Sequence, residues 1–310
     1  MKLATYLYRG VRSFGLVTEG GLCDAPTCWP DGPGSLLEAL EAGPAAMERL
    51  AELPRRCKRF LAMADVHLLA PIPNPPKLLG LAVNYLEHHR ELARGADMPT
   101  DPAATTTPRP FLMPTTAVAH PGDEIPWPRT SEQIDYEIEL AMVIGRKGKD
   151  ISPQAAGGHI AGYTIANDIS ARSVTFAQGR AARPKDEFFD WLHGKWADGF
   201  CPLGPWLVTA DEIGDANDLE LELTVNGVTR QKARTSMMIF DVPRVVSFCS
   251  HLMTLLPGDV IATGTPSGVA AATGAYLAAG DVITCRIEKI GELTNTLGPR
   301  PKSFYTPCRT

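Results

Sequence analysis

The sequence predicts a β-rich α+β fold: a mixed-sheet main domain with a small α+β unit at its N-terminus. Three observations lead there. Apolar residues alternate over several long runs, turn residues (Gly, Pro, Asn-Gly) separate those runs, and few segments carry a helical period. Taken in order, LATYLY and SFGLVTE read as short strands with a turn at Gly20-Gly21. SLLEALEAGPAAMERLAELPRRC gives two short helices parted by Gly43-Pro44. HLLAPIPNPPKLLGLAVN returns to strand and loop. Its proline cluster sets a boundary near residue 70, with 1–70 an accessory domain and 71–310 the main one. LEHHRELAR reads as a short helix with Asn84 as candidate cap. Residues 96–130 are rich in Pro and Thr without periodicity and read as a long loop. Within 84–115 the helix and loop together predict a mobile lid. EQIDYEIELAMVIGRK alternates as a strand, and AGYTIAND is a second apolar run. LELELTVNGVTRQ turns at Asn226-Gly227, a strong hairpin signal, and DVITCRIEKIGELTNTL alternates again. IFDVPRVVSFCSHLMTLL, between them, is clearly helical.

Composition narrows the function. The chain has 310 residues, a net charge of −5 and a pI of about 5.8, which favours neither nucleic acid nor an anionic membrane surface. A small acidic substrate would need a local cation. The seven cysteines are odd in number and lack a CxxC pair, which argues against a disulfide framework or zinc ribbon and for free thiols in a reducing cytoplasm. MKLATYLYRGVRSFGLV is no signal peptide, and no apolar run reaches membrane-spanning length.

The stretch Glu132–Arg172 carries the chemistry. On a strand, Tyr136, Ile138, Leu140, Met142 and Ile144 point one way, and Glu137, Glu139, Ala141 and Val143 the other. Same-face neighbours sit roughly 6–7 Å apart. Buried together, Glu137 and Glu139 need protons, a basic partner or a cation. Asp168, closing the second run, is the third candidate carboxylate, and three carboxylates suit Mg²⁺. A solvated Glu-x-Glu face is the competing reading.

Seven segments carry a family resemblance: LLGLAVNYLEHHRE, DYEIELAMVIGR, AGYTIANDISAR, GKWADGFCPLGPWLVT, LTVNGVTRQ, LLPGDVIATGTPSGV and GELTNT. In this order and spacing, over about residues 78–297, the chain resembles the fumarylacetoacetate hydrolase family, in its acylpyruvate hydrolase-like branch. The resemblance implies a mixed β-sheet roll or barrel, usually dimeric. It implies Mg²⁺, or Mn²⁺ or Ca²⁺, and chemistry on 2-oxo and 2,4-dioxo acids. It assigns Glu137, Glu139 and Asp168 as metal ligands and Lys195 as the ammonium beside them. It makes His88 and Glu91 the general-base pair and Tyr85, Arg172 and Thr265 substrate-binding residues. A C–C bond hydrolase follows as first expectation, a decarboxylase or isomerase as second, and a non-catalytic binding protein as third.

Each residue also has a plainer reading. EHHRE suits a solvated helix, Lys195 a snorkelling surface lysine, Asp168 a cap for a helix through SARS, and Thr265 turn chemistry before Pro266. TGTPSG lacks the Gly-Lys-Ser/Thr of a phosphate loop. Cys201 reads as a small buried hydrophobe, and His67, His120, His159, His193 and His251 show no ligand spacing. Met113, Ser173 and Trp196 depart from the family pattern, where lysine, aspartate and serine are common. A larger or more apolar substrate tail is the expectation.

Overall fold

The computed structural model describes residues 1–92 and 101–307. Eighteen strands are present among them. The first four are β1 (Lys2–Tyr8), β2 (Val11–Thr18), β3 (Gly21–Asp24) and β4 (Val66–Leu69). Then come β5 (Leu78–Leu81), β6 (Pro110–Met113), β7 (Val118–Ala119), β8 (Glu124–Ile125), β9 (Ser131–Asp135) and β10 (Ile138–Ile144). β11 (Ile160–Asn167), β12 (Ser170–Val174), β13 (Cys201–Thr209), β14 (Glu220–Val225) and β15 (Val228–Arg234) follow. β16 (Val260–Ala262), β17 (Val282–Ile287) and β18 (Gly291–Leu297) complete the set.

The main sheet runs β3-β2-β1-β13-β11-β10-β16-β5-β6 and stays open, so the expected roll is present and a closed barrel is not. A second sheet, β15-β14-β17-β18-β8, packs beside it, and β9 with β12 makes a two-stranded ribbon. The hairpin at Asn226-Gly227 forms as expected; both residues take positive φ, 51° and 76°, which this tight turn requires.

β10 is buried along its whole length. Ile138, Leu140, Met142 and Ile144 enter one core cluster, while Ala141 and Val143 enter another with Leu3, Phe14 and Leu207. The period-two reading of this strand therefore holds, and both faces are covered. β1 pairs with β13, matching Leu3 to Leu207, so the first strands extend the main sheet.

Three local expectations change. The Pro/Thr-rich stretch contains a short helix, Pro102–Thr105, and β6, β7 and β8, because its residues pair with β5, β13 and β18. Residues 96–100 of that stretch, and 93–100 of the expected lid, lie outside the described residues. Asn84 does not serve as the cap: its amide donates to the carbonyls of Phe240 and Thr263 and accepts from the Phe240 N–H, tying the helix start to the core. SARS is strand β12, so no helix follows Asp168 there.

Candidate active site

The site is built on one antiparallel ribbon. β10 and β11 pair with Ile138 opposite Asn167, and β9 and β12 pair with Asp135 opposite Ser170. Two residues on each strand separate these pairs, so one register runs through the interruption. It sets Glu137 across from Asp168, and the Asp168 N–H donates to the Glu137 carbonyl at 2.8 Å. The ladder breaks because side chains take its backbone groups. The Tyr136 N–H donates to Asp135 Oδ1 and the Glu137 N–H to Asn167 Oδ1. At this break the acidic side chains converge instead of lying along a regular strand.

Glu137, Glu139 and Asp168 are all buried, and one oxygen from each lies within 4.8 Å of the others. Lys195 is 2 % exposed and donates to Glu137 Oε2 at 2.8 Å and to Asp168 Oδ2 at 2.6 Å. Arg172 donates to Glu137 Oε1 at 2.5 Å and to Asp135 Oδ2 at 3.0 Å. Ser170 Oγ adds a weaker contact to Glu137. Asp135 is also held by the N–H groups of Ala270 and Ala271 at the start of a short helix. Asp168 Oδ1 is buried without a hydrogen-bond partner among the described residues.

Electrostatics separates the three carboxylates. Burial pushes Glu137 up, but Lys195 and Arg172 outweigh it and hold its carboxyl down at about 2. Glu139 goes the other way: burial, Asp168 and Glu137 raise it well above the usual range. Burial raises Asp168 to about 6, a rise that Lys195 opposes and Glu137 reinforces. Desolvation lowers Lys195, yet Asp168 and Glu137 outweigh it and raise the ammonium above the ordinary lysine range. Asp135, Glu137, Glu139 and Asp168 carry four potential negative charges against two positive ones on Arg172 and Lys195. The surplus of two, the all-oxygen donors and the unpartnered Asp168 Oδ1 fit a hard divalent cation.

Lys195 follows the helix Asp186–His193. Gly194 brings it in: the Ala171 N–H donates to the Gly194 carbonyl at 2.9 Å, and a Cβ on Gly194 would lie 2.3 Å from the Ala171 oxygen. The lysine is therefore pinned under β12, and the snorkelling alternative is not what forms.

The loop TGTPSG supplies amides to the site. The Gly264 N–H donates to Glu139 Oε2 at 2.6 Å and the Gly268 N–H to Glu91 Oε2 at 2.9 Å. Both glycines take positive φ, 89° and 103°. Thr265 is buried; its hydroxyl donates to the Ile138 carbonyl and accepts from Gln231 Nε2.

On the helix Leu86–Leu92, His88 Nδ1 meets Glu91 Oε1 at 2.8 Å. His88 is 4 % exposed and close enough for its charge to favour ionised Glu137. The EHHRE helix is thus docked on the site. Neighbouring His89 is half-buried, its imidazole pulled down by burial and by Arg109 and His88. Tyr85 is 1 % exposed, its hydroxyl without a hydrogen-bond partner among the described residues and raised by burial and by nearby Glu139.

Two residues escaped the sequence reading. Asp135 looked like the flank of a strand, and Gln231 like part of a hairpin. Gln231 Oε1 accepts from the Ile138 N–H while its Nε2 serves Thr265 and Pro266, partners distant in sequence. No local pattern marks such a residue. The family departures also resolve physically. Met113 is core-packed at 4 % exposure, Ser173 bonds Gln133, and Trp196 is 42 % exposed with its N–H on the Leu112 carbonyl. Cys201 is fully buried.

Comparison with known proteins gives this arrangement its relatives. Residues 77–298 match the model described as fumarylacetoacetate (FAA) hydrolase, C-terminal. The chain is 36 % identical over 278 residues to the mitochondrial oxaloacetate tautomerase fahd2 of Xenopus laevis, covering 89 % of this chain and 82 % of that protein. A putative HpcE protein from Mycobacterium smegmatis superposes with a TM-score of 0.80 at 29 % identity, over 97 % of this chain and all of the other. Maleylpyruvate hydrolase from Sphingobium sp. SYK-6, in complex with manganese(II) and pyruvate, gives 0.75 at 28 % identity with the same coverage. With the family match spanning well over half of the chain, this protein belongs to the fumarylacetoacetate hydrolase family.

Proposed function

We propose that the protein is a divalent-cation-dependent hydrolase that cleaves a C–C bond in an acylpyruvate-like, 2,4-dioxo acid. One observation carries the reading: three buried carboxylates gathered around a buried ammonium, with a His–Glu pair docked beside them. Glu137, Glu139 and Asp168 would hold the cation, Mg²⁺ by preference, with Mn²⁺ or Ca²⁺ also compatible with oxygen donors. Bound there, it supplies Lewis-acid polarisation of the 2-oxo group.

The chain's own residues do the rest. Lys195 uses two of its three N–H donors on Glu137 and Asp168, and the third is available to an oxygen that gains negative charge. Glu91 fixes the His88 ring through Nδ1, which leaves Nε2 to take a proton from water. The water oxygen bonds to the distal carbonyl carbon. The C–C bond then breaks, and its electron pair passes into the enolate of pyruvate. The proton held on Nε2 returns to the enolate carbon, giving pyruvate and a carboxylic acid. Of the substrate-binding set, Tyr85 offers a hydroxyl with no partner among the described residues. Arg172 and Thr265 act by positioning Glu137 and Ile138, which they bind.

A second reading uses the same enolate without water: tautomerisation or decarboxylation of an oxaloacetate-type acid. The tautomerase name of the Xenopus relative favours it. The dense set of buried charges speaks against a purely binding role. The deciding experiment follows the ultraviolet absorbance of 2,4-dioxo acids and of oxaloacetate with added Mg²⁺. Hydrolysis to pyruvate that chelator stops and Mg²⁺ restores is expected. Turnover of oxaloacetate alone would replace the first reading with the second.

A further inference from the structure

We propose that Cys23, Cys28 and Cys57 form a second metal site, a thiolate site for a soft, closed-shell cation, with Zn²⁺ as its occupant. It shares no residue with the carboxylate centre. The three sulfurs all lie within 4.8 Å of one another, and the Cys23 and Cys28 sulfurs are 3.8 Å apart. A disulfide would need about 2.05 Å. Thiolates bound at about 2.3 Å around one tetrahedral Zn²⁺ stand about 3.8 Å apart, so the observed separation is already that of ligands on a shared ion.

Three elements bring the sulfurs together, which is why no CxxC spacing announces them. Cys23 is on β3 and fully buried. Cys28 ends the short helix Ala25–Cys28, whose start is fixed by the Thr27 N–H donating to Asp24 Oδ2 at 2.9 Å. Cys57 closes the helix Pro44–Arg56, its N–H on the Leu53 carbonyl. Cys28 and Cys57 are half-buried, so one side stays open for a fourth ligand such as water. Soft sulfur donors select against Mg²⁺, whereas the oxygen set at Glu137 favours it, so the two sites would sort cations by chemistry. Arg55, Arg56, Lys58 and Arg59 flank Cys57 in sequence and offset the negative charge of a three-thiolate complex.

The test uses the full chain, reduced and saturated with Mg²⁺ so that the carboxylate centre is occupied. Co²⁺ is added as a spectroscopic probe, then Zn²⁺. One equivalent of Co²⁺ should produce a thiolate-to-cobalt charge-transfer band with strong tetrahedral bands, and one equivalent of Zn²⁺ should abolish them. Cys28→Ser and Cys57→Ser, both at partly exposed positions, should lose the bands while keeping the circular dichroism of the folded chain. Glu139→Gln should keep them. Absence of a thiolate band in the folded native chain, or its survival in both cysteine variants, overturns the proposal. So does a Cys23–Cys28 disulfide that forms in air despite excess Zn²⁺, since the cluster would then be a redox pair.

Discussion

Glu137 and Glu139 stand two residues apart and titrate in opposite directions. The cause is the company each keeps. Glu137 has Lys195 and Arg172, whereas Glu139 has an amide and two other carboxylates. We propose that protons and a cation would therefore compete at Glu139 and Asp168. Asp168, raised to about 6 in the metal-free chain, is protonated below that pH and ionised above it. Its proton must leave when a cation binds, so affinity should weaken as pH falls through about 6, by up to about tenfold per pH unit for each proton displaced. Titration calorimetry with Mg²⁺ in two buffers of different ionisation enthalpy would show the release. Affinity that is flat between pH 5 and 8 would refute it. At this scale the carboxylates were legible because the two glutamates share a parity and Asp168 ends an apolar run. Their burial was not, since parity cannot tell a covered face from a wet one. Lys195 and His88 were legible only through the family motifs. Asp135 and Gln231 act through backbone groups far away in sequence, and no motif pointed to them.

Among the elements, the broken ribbon and the glycine loop matter most. DYEIELAM alternates without interruption in sequence, yet the strand stops at Tyr136 and Glu137. Side-chain oxygens of Asp135 and Asn167 capture the amides there, a tertiary event that periodicity cannot register. The loop is a second case: TGTPSG read as a failed phosphate cradle, whereas its glycines orient Glu139 and Glu91 through their N–H groups. At Gly268, φ is +103° and an added Cβ would lie 2.2 Å from the Arg230 carbonyl oxygen. Gly268→Ala should destabilise the fold by about 1–3 kcal/mol. It should also loosen Glu91 and lower hydrolysis more than cation binding. Urea unfolding together with kcat measures both, and a variant as stable and active as the parent would contradict this account. The aromatic helix Asp186–His193 shows the same limit: no pattern read from the sequence marked it, and Gly194 and Ala171 decide where it delivers Lys195.

In the whole molecule, the N-terminal strands and the catalytic strands share one sheet and one core cluster. The boundary near residue 70 is a change in sequence character, and we propose that 1–70 and 71–310 nevertheless unfold together, as a single calorimetric transition would show. Among the described residues no helix is long and apolar enough to cross a membrane. Val228 and Val282, on the second sheet, are 54 % and 41 % exposed. We propose that this β-rich half forms a homodimer interface. Light scattering at micromolar concentration should then give twice the 33.4 kDa chain mass; a fully active monomer would count against it. We propose that labour is divided within this fold: the cation held by the three carboxylates, with Lys195, would stabilise the enolate, while His88 with Glu91 would make water nucleophilic. The most direct test assays His88→Ala and the parent chain on the same Mg²⁺-loaded preparations, with a 2,4-dioxo acid and with oxaloacetate. Hydrolysis should fall by roughly 10²–10⁴-fold, with Mg²⁺ affinity intact and any turnover of oxaloacetate much less affected. Hydrolysis at the parental rate, or loss of Mg²⁺ binding along with activity, would contradict it.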